Sequence, residues 1–201
     1  MIIFIGQAIH SFRSSETLSL LAYSDKKYYL CKKHCKAAPI PLLCMQYKDN
    51  KMIPLNLPSF EIKLSGTQEH PQIYDILRRK YVALTPEEWV RQHFIHYLID
   101  HKGYPSSLMG NEIRLQIGSK RLRADSVLYD NRLHPRMIIE YKAPSVQITQ
   151  HVFDQICVYN MQLHVDYLIV TNGLVHYCCK IDYTDSSYIF LREIPAYDTI
   201  K

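Results

Sequence analysis

Two carboxylates and one lysine carry the clearest chemical signal in this chain of 201 residues: Asp125, Glu140 and Lys142. Glu140 and Lys142 are two positions apart in a predicted strand, so both side chains project from the same face of it. Asp125 lies in the strand before, and a hairpin between the two strands brings its carboxylate beside Glu140. Because adjacent carboxylates repel each other, such a pair favours a hard divalent cation such as Mg²⁺. A lysine next to that metal can orient or help deprotonate an attacking water, or stabilise charge that develops on a phosphate.

The same three residues also have a purely structural interpretation. A Glu-x-Lys pair is common by chance, and Glu140 and Lys142 are then ordinary strand residues while Asp125 caps a turn. The context favours a site, because the pair follows directly on the apolar residues 137–139, which are typical of a buried strand. A carboxylate and an ammonium at the end of a buried strand need partners.

One predicted helix precedes these strands and has clear ends. Thr85 is a favourable N-cap, Pro86 suits the first turn, and Glu87 and Glu88 lie near the positive end of the helix dipole. Gly103 is the expected stop, which ends the helix at about residue 101.

The remaining pattern predicts a sheet and further helices. Apolar residues at helical spacing predict a short helix over residues 73–82 and a longer one over residues 149–162. Strands are predicted at residues 112–117, 121–129, 136–141, 167–170, 174–181 and 188–191. The order helix, three strands, helix, two strands indicates an α/β fold in which helices flank a mixed central sheet.

The charge distribution limits what can be said about nucleic acid. The net charge is +5, and residues 1–51, with eight basic and three acidic side chains, account for all of it. The rest of the chain is neutral, so DNA binding by the body must rest on a local patch. The basic cluster closest to the proposed site consists of Arg114, Lys120, Arg121 and Arg123. These residues would suit phosphate contacts, and a solvated hairpin end is the alternative.

Six sequence stretches, considered together, resemble the N-terminal nuclease domain of type I restriction enzyme R subunits, which belongs to the PD-(D/E)xK superfamily. The resemblance covers roughly residues 70–197. The stretches are Leu84-Thr-Pro-Glu-Glu88-Trp-Val-Arg-Gln92, Gly103-Tyr104-Pro105, Arg121-Leu-Arg123-Ala-Asp125-Ser-Val-Leu-Tyr-Asp130, Ile138-Ile-Glu140-Tyr-Lys142-Ala-Pro144, Phe153-Asp-Gln155-Ile-Cys-Val-Tyr159-Asn160 and Leu168-Ile-Val-Thr-Asn172-Gly173.

The resemblance implies a restriction-endonuclease-like core with element order α-β-β-β-α-β and a Mg²⁺-dependent phosphodiesterase activity, with Mn²⁺ as a substitute metal. It implies that Asp125 and Glu140 are metal ligands and that Lys142 is the catalytic lysine. Gln155 and Tyr159 match the Gln-x-x-x-Tyr motif of type I nuclease domains. They lie one helical turn apart and share a face, from which they could contact DNA or order the lysine; a capped, half-buried helix face is the alternative.

One position departs from the superfamily pattern. The first core helix often contributes a glutamate that helps to hold a metal-bound water, and here the expected position holds Gln92. Glu88 lies one turn earlier on the same side and is the candidate for that role. A capping box with Thr85 is the competing interpretation of Glu88.

The sequence predicts three segments: a poorly patterned basic segment over residues 1–51, an extended lead-in over 52–69, and the nuclease-like domain over 70–201. The first segment is interpreted as translation upstream of a natural start at Met52, as a loose appendage, or as a small basic lobe. Cys31, Cys35 and Cys44 with His34 resemble half a zinc site, but free thiols are the preferred interpretation because a second ligand pair is missing.

The leading hypothesis is therefore a Mg²⁺-dependent DNA endonuclease domain in the cytoplasm, with DNA and a separate motor or specificity subunit as partners. The sequence contains no P-loop motif for a motor of its own, and no apolar run approaches the ~18 residues that a membrane helix needs. The alternative is a non-catalytic nucleic-acid-binding or assembly module that retains the nuclease fold.

Overall fold

The computed structural model describes residues 53–201 with the exception of Gly118. The predictions for residues 1–51, including the cysteine cluster and the start at Met52, lie outside the described residues. The elements are β1 (Leu64–Gly66), β2 (Pro71–Asp75), β3 (Lys80–Ala83), α1 (Pro86–Lys102), β4 (Met109–Ile117), β5 (Lys120–Tyr129), β6 (Pro135–Tyr141), α2 (Gln150–Leu163), β7 (Tyr167–Thr171), β8 (His176–Asp182) and β9 (Ser187–Leu191).

The main sheet contains six strands in the order β4-β5-β6-β7-β8-β9. Neighbouring strands are antiparallel except β6 and β7, which are parallel and are joined through α2. Two apolar cores result, one that contains the buried side chains of α1 and one that contains those of α2. The prediction of an α/β fold with a mixed central sheet and flanking helices is confirmed.

Helix α1 begins and ends where its capping residues predict. The Thr85 side chain accepts a hydrogen bond from the backbone N–H of Glu88, Pro86 occupies the first turn, and Gly103 adopts the left-handed conformation at the C-terminus. Residues 88–95 are all buried, which is more than the apolar side chains alone account for. The helix therefore carries polar groups into the interior at its N-terminal half.

The prediction of a helix over residues 73–82 is wrong, because this segment forms strands β2 and β3 of a small three-stranded sheet. The turn between the strands is fixed by Asp75, whose Oδ1 accepts hydrogen bonds from the backbone N–H groups of Leu77 and Arg78. Burial alternates along β2, with Ile73 and Asp75 inside. The apolar spacing matched a helix, but this alternation and the turn at Asp75 are those of a hairpin.

The predicted lead-in segment packs against the body of the protein. Leu55 is buried in the core beside α1, and the backbone N–H of Asn56 donates to the carbonyl of Gly173 at 2.8 Å. Strand β1, which lies within this segment, pairs with β2. Neither helix in the described part of the chain is long and apolar enough to cross a membrane.

Candidate active site

The end of the β5–β6 pairing places the two predicted metal ligands side by side. Ser126 pairs with Ile139, and continuing that register by one residue sets Asp125 opposite Glu140. The Asp125 Oδ2 atom accepts a hydrogen bond from the backbone N–H of Tyr141 at 3.0 Å. This bond ties the Asp125 side chain to the neighbouring strand, next to the residue that carries the second carboxylate.

Glu140 is buried, with 3% of its surface exposed. Its Oε1 atom accepts hydrogen bonds from Lys142 Nζ and Gln155 Nε2, both at 2.9 Å. Its Oε2 atom is also buried and has no hydrogen-bond partner among the described residues. Burial and then the negative charge of Asp125 raise the pKa of Glu140 from 4.5 to about 7. The two carboxylates therefore interact unfavourably when no cation lies between them.

Lys142 carries a stable positive charge at this site. Burial, the largest effect, lowers the pKa of Lys142, but its hydrogen bond to Glu140 and the charges of Glu140, Asp125 and Glu87 outweigh that effect and raise it. The side chain also donates to Gln155 Oε1 at 3.3 Å. An ammonium in this state suits the stabilisation of negative charge better than the removal of a proton.

Gln155 and Tyr159 lie on the face of α2 that covers Glu140. The Gln155 side chain bonds to both Glu140 and Lys142, and its Nε2 atom also donates to the Tyr159 hydroxyl at 2.8 Å. Tyr159 is buried. Both residues of the predicted helix motif thus join the network around Glu140, with Gln155 in direct contact with the lysine.

The donor set fits a hard divalent cation. Asp125 and Glu140 supply carboxylate oxygens only, and Glu140 Oε2 is a buried acceptor that a cation would satisfy. Within the described residues no group of three or more His, Cys, Asp and Glu side chains is gathered as a metal-ligand set. Two carboxylates with remaining positions for waters and phosphate oxygens are typical of Mg²⁺.

Glu88 has partners that differ from those expected of a metal-site glutamate. Its carboxylate accepts hydrogen bonds from Arg78 Nη2 at 2.9 and 3.0 Å, from Arg91 Nη1 at 2.9 Å and from Gln92 Nε2 at 2.7 Å. Thr85 caps the Glu88 backbone, but the Glu88 carboxylate does not return to Thr85 as in a full capping box. The structure therefore places Glu88 in an arginine cluster and does not bring it to Glu140.

The neighbouring Glu87 is the α1 glutamate whose charge reaches the site. It raises the pKa of both Glu140 and Lys142, and its own side chain lies on the exposed first turn of α1. The sequence interpretation selected Glu88 for the site and treated Glu87 only as an acidic residue near the positive end of the helix dipole. Glu87 lies in the first turn of the helix, before the buried residues 88–95, and this position is the sequence signal that favours Glu87 over Glu88.

Arg91 is the main site residue that the sequence interpretation missed. Its guanidinium contacts Glu88, Glu112 and Asp125 at 2.8–2.9 Å, so this buried cation is paired with three carboxylates. Its Nε atom is buried and has no hydrogen-bond partner among the described residues. Glu112 has a φ of 60°, and the β4–β5 ladder is interrupted there. Its carboxylate also pairs with Arg123.

The predicted basic cluster on the β4–β5 hairpin is present in part. Arg114 pairs across the strands with Arg123, and Arg121 lies on the same strand two residues before Arg123, so the three alternate positions share a face. All three side chains are exposed, Arg123 by 61%. The side chain of Lys120 lies outside the described residues. Arg123 is paired with Glu112, so Arg114 and Arg121 are the cations most available to a phosphate.

The mixed sheet and its two flanking helices define an α/β domain in which Asp125 and Glu140 lie on neighbouring strands. A family model described as "type I restriction enzyme R protein N terminus" matches residues 86–195, and the chain belongs to this family, as its sequence motifs predict. A similar solved structure is a fragment described as an HsdR subunit of a type I restriction enzyme from Vibrio vulnificus YJ016, with 20% sequence identity and a TM-score of 0.43.

The structural similarity covers 58% of this chain and 24% of that chain, so the matched part spans about a quarter of the fragment's length. No curated protein matches the chain significantly. The family model begins at the first turn of α1 and ends after β9, so it contains every candidate site residue but not the small three-stranded sheet.

Proposed function

We propose that the chain is a Mg²⁺-dependent endonuclease domain that hydrolyses phosphodiester bonds in DNA, with Mn²⁺ as a substitute metal. One observation carries the proposal. Glu140 Oε2 is a buried carboxylate oxygen beside Asp125 that has no hydrogen-bond partner among the described residues. A buried, unpaired carboxylate oxygen is costly, and a cation shared with Asp125 removes the cost.

In this proposal Asp125 and Glu140 would hold the metal, whose chemical contribution would be positive charge that stabilises the scissile phosphate and favours deprotonation of the attacking water. Lys142, whose ammonium bonds to Glu140, stabilises the negative charge that develops on the phosphate. Gln155 fixes both Glu140 and Lys142 through its amide. The Tyr159 hydroxyl accepts from Gln155, which leaves its own proton available to a phosphate oxygen.

Glu87 takes the role that the resemblance assigns to the glutamate of the first helix. Its charge acts on Glu140 and Lys142, whereas Glu88 is held by Arg78 and Arg91. Glu88 then supports the site through Arg91, which binds Asp125.

DNA would approach along the exposed arginine face of the β4–β5 hairpin. Arg114 and Arg121, with Arg123 and Lys120, contact phosphates and position the duplex without reading its sequence. The neutral charge of residues 52–201 makes a partner that supplies a motor or specificity part of the proposal. We place this activity in the cytoplasm, as a module of a restriction system.

The test is the nicking of supercoiled plasmid DNA in Mg²⁺ by the wild-type chain and by Lys142→Ala. Lys102→Ala is a matched control, because Lys102 is about as exposed as Lys142 (17% and 18%) and pairs with Glu193 at the far end of α1. The proposal predicts nicking by the wild type and the control and none by Lys142→Ala. Equal activity of Lys142→Ala and wild type would overturn it.

A second candidate is a non-catalytic nucleic-acid-binding or assembly module. The observation that favours it is the ion pair of Arg91 with Asp125 at 2.8 Å, which already gives that carboxylate a cation. This candidate predicts DNA binding in a gel-shift experiment without nicking in Mg²⁺ or Mn²⁺. Binding that is unchanged by Lys142→Ala, together with inert wild-type protein, would favour it over the endonuclease.

A further inference from the structure

We propose that Arg91 is a positioning residue that fixes the orientation of the Asp125 carboxylate for metal binding. The inference rests on the proposed function. Arg91 lies on α1, and its side chain is 6% exposed, so its contacts are shielded from water. Its guanidinium bonds to three carboxylates from three different elements of the fold.

The geometry of the guanidinium couples these contacts. Its Nη1 atom donates to Glu88 at 2.9 Å and to Glu112 at 2.8 Å, and its Nη2 atom donates to Asp125 Oδ1 at 2.8 Å. Because the guanidinium is a rigid planar fork, the two bonds at Nη1 determine where Nη2 points. The position of Asp125 is therefore coupled to Glu88 and Glu112 through one guanidinium.

The two anchors are held in turn. Glu88 is bound by Arg78 from the turn after β2 and by Gln92 from the next turn of α1. Glu112 pairs with Arg123. A chain of ion pairs thus runs from the small sheet, which lies outside the part matched by the family model, to Asp125 in the main sheet.

Asp125 is held at both oxygens. Oδ1 accepts from Arg91 and Oδ2 accepts from the backbone N–H of Tyr141 at 3.0 Å, while the Arg91 guanidinium lies 5.4 Å from the centroid of the Tyr141 ring. Each carboxylate oxygen can accept more than one contact, so these bonds fix the carboxylate plane and leave acceptor positions for a cation. Partners that orient a ligand in this way commonly change metal affinity by about 10–100-fold.

The direct test compares Mn²⁺ binding by calorimetry and nicking of plasmid DNA in the wild type and in Arg91→Lys. A lysine keeps the positive charge but lacks the fork, so it cannot hold two anchors and Asp125 together. Arg136→Lys is the matched control, because Arg136 pairs with Asp166 at 2.7 Å on the same sheet and outside the site. Melting temperatures establish that each variant is folded.

A second variant covers the case in which Arg91→Lys does not fold. In Glu112→Asn the asparagine side chain is too short to reach Arg91, and asparagine tolerates the positive φ found at this position. It frees one bond at Nη1 and leaves the guanidinium in place. We expect Mn²⁺ affinity to fall by about tenfold or more in Arg91→Lys and by a smaller factor in Glu112→Asn, with a matching rise in the Mg²⁺ concentration for half-maximal nicking.

The outcomes separate the two proposals. Active wild type, weakened binding in the two site variants and unchanged binding in Arg136→Lys support the role of Arg91. If the wild type is active and a folded Arg91→Lys binds Mn²⁺ with unchanged affinity, the role of Arg91 alone is overturned. If Arg91→Lys does not fold, unchanged affinity in Glu112→Asn has the same meaning. A wild-type chain that neither binds Mn²⁺ nor nicks DNA overturns the proposed function, and the role of Arg91 with it.

Discussion

Gln155 Nε2 donates a hydrogen bond to Glu140 Oε1 at 2.9 Å and so ties helix α2 to the strand that carries the catalytic candidates. The same amide accepts from Lys142 through its oxygen. One neutral side chain thus contacts the buried carboxylate and the ammonium at once. Because it bonds to both charges, which also pair with each other at 2.9 Å, it fixes their relative geometry without adding a charge of its own.

Replacement of Gln155 by alanine is expected to lower the nicking rate by about tenfold or more, which corresponds to about 1.4 kcal/mol in activation free energy. The cause is the loss of the contact that orders Lys142 and Glu140. Gln150→Ala is the control, since Gln150 begins the same helix and its side chain bonds to the exposed Asp154, away from Glu140 and Lys142. Initial rates of plasmid nicking measure the effect, and a Gln155→Ala rate equal to that of Gln150→Ala would show that the amide is dispensable.

In the metal-free protein, Glu140→Gln is expected to be more stable relative to the wild type at pH 8 than at pH 5. The pKa of Glu140 is raised from 4.5 to about 7, so the folded state binds more protons than the unfolded state between these values. Stability of the wild type is therefore lost as pH rises through this range, by an amount on the order of 2–3 kcal/mol, and the amide avoids that loss.

Thermal melts in EDTA at both pH values measure this effect. The change in stability between the two pH values is compared for the wild type and Glu140→Gln, so the contributions of other titrating groups cancel. Glu193→Gln is the control, because Glu193 is 84% exposed. A wild-type stability that rises from pH 5 to pH 8 relative to Glu140→Gln would contradict the raised pKa.

Removal of metal is expected to abolish nicking and to lower the melting temperature of the wild type. A ligand that binds only the folded state stabilises it by about 2.7 kcal/mol at a concentration of 100 times its Kd. Asp125→Asn should lose most of this stabilisation, because it removes one of two carboxylate ligands. Melts with added Mg²⁺ or EDTA provide the measurement, and full nicking activity in EDTA would show that the chemistry needs no metal.

Gly173→Ala is expected to destabilise the protein more than Gly103→Ala. Both glycines have positive φ, but an added Cβ at Gly173 would lie 2.7 Å from a Leu55 side-chain carbon, whereas nothing lies within 4 Å at Gly103. The conformational penalty alone is about 1 kcal/mol, and the clash with Leu55 adds to it at Gly173. Chemical denaturation of the two variants tests how firmly residues 53–57 pack, and equal destabilisation would show that Leu55 moves aside without cost.

The sequence predicts the residues of the site that depend on local geometry. Alternation along a strand sets Glu140 and Lys142 on one face, and helical spacing sets Gln155 and Tyr159 on another. These four residues meet in the structure as one hydrogen-bonded group. The boundaries of α1 were predictable for the same reason, because Thr85 and Gly103 act within their own turns.

Contacts between residues that are far apart in the sequence could not be predicted from local spacing patterns. Arg91 meets Glu112 and Asp125 across 21 and 34 residues, and no spacing rule connects them. Glu88 was assigned by its place on the helix, whereas its partners are decided by Arg78 from a turn that the sequence interpretation took for a helix. The error at residues 73–82 therefore also hid the ion pairs that support Asp125.

The proposed metal site is tested most directly by a crystal structure of the protein with Mn²⁺ and its anomalous difference map. We predict a peak between the carboxylates of Asp125 and Glu140, with contact to Glu140 Oε2 and with Lys142 on the same side. A metal bound elsewhere, or a map without a peak between these two carboxylates at saturating Mn²⁺, would contradict it.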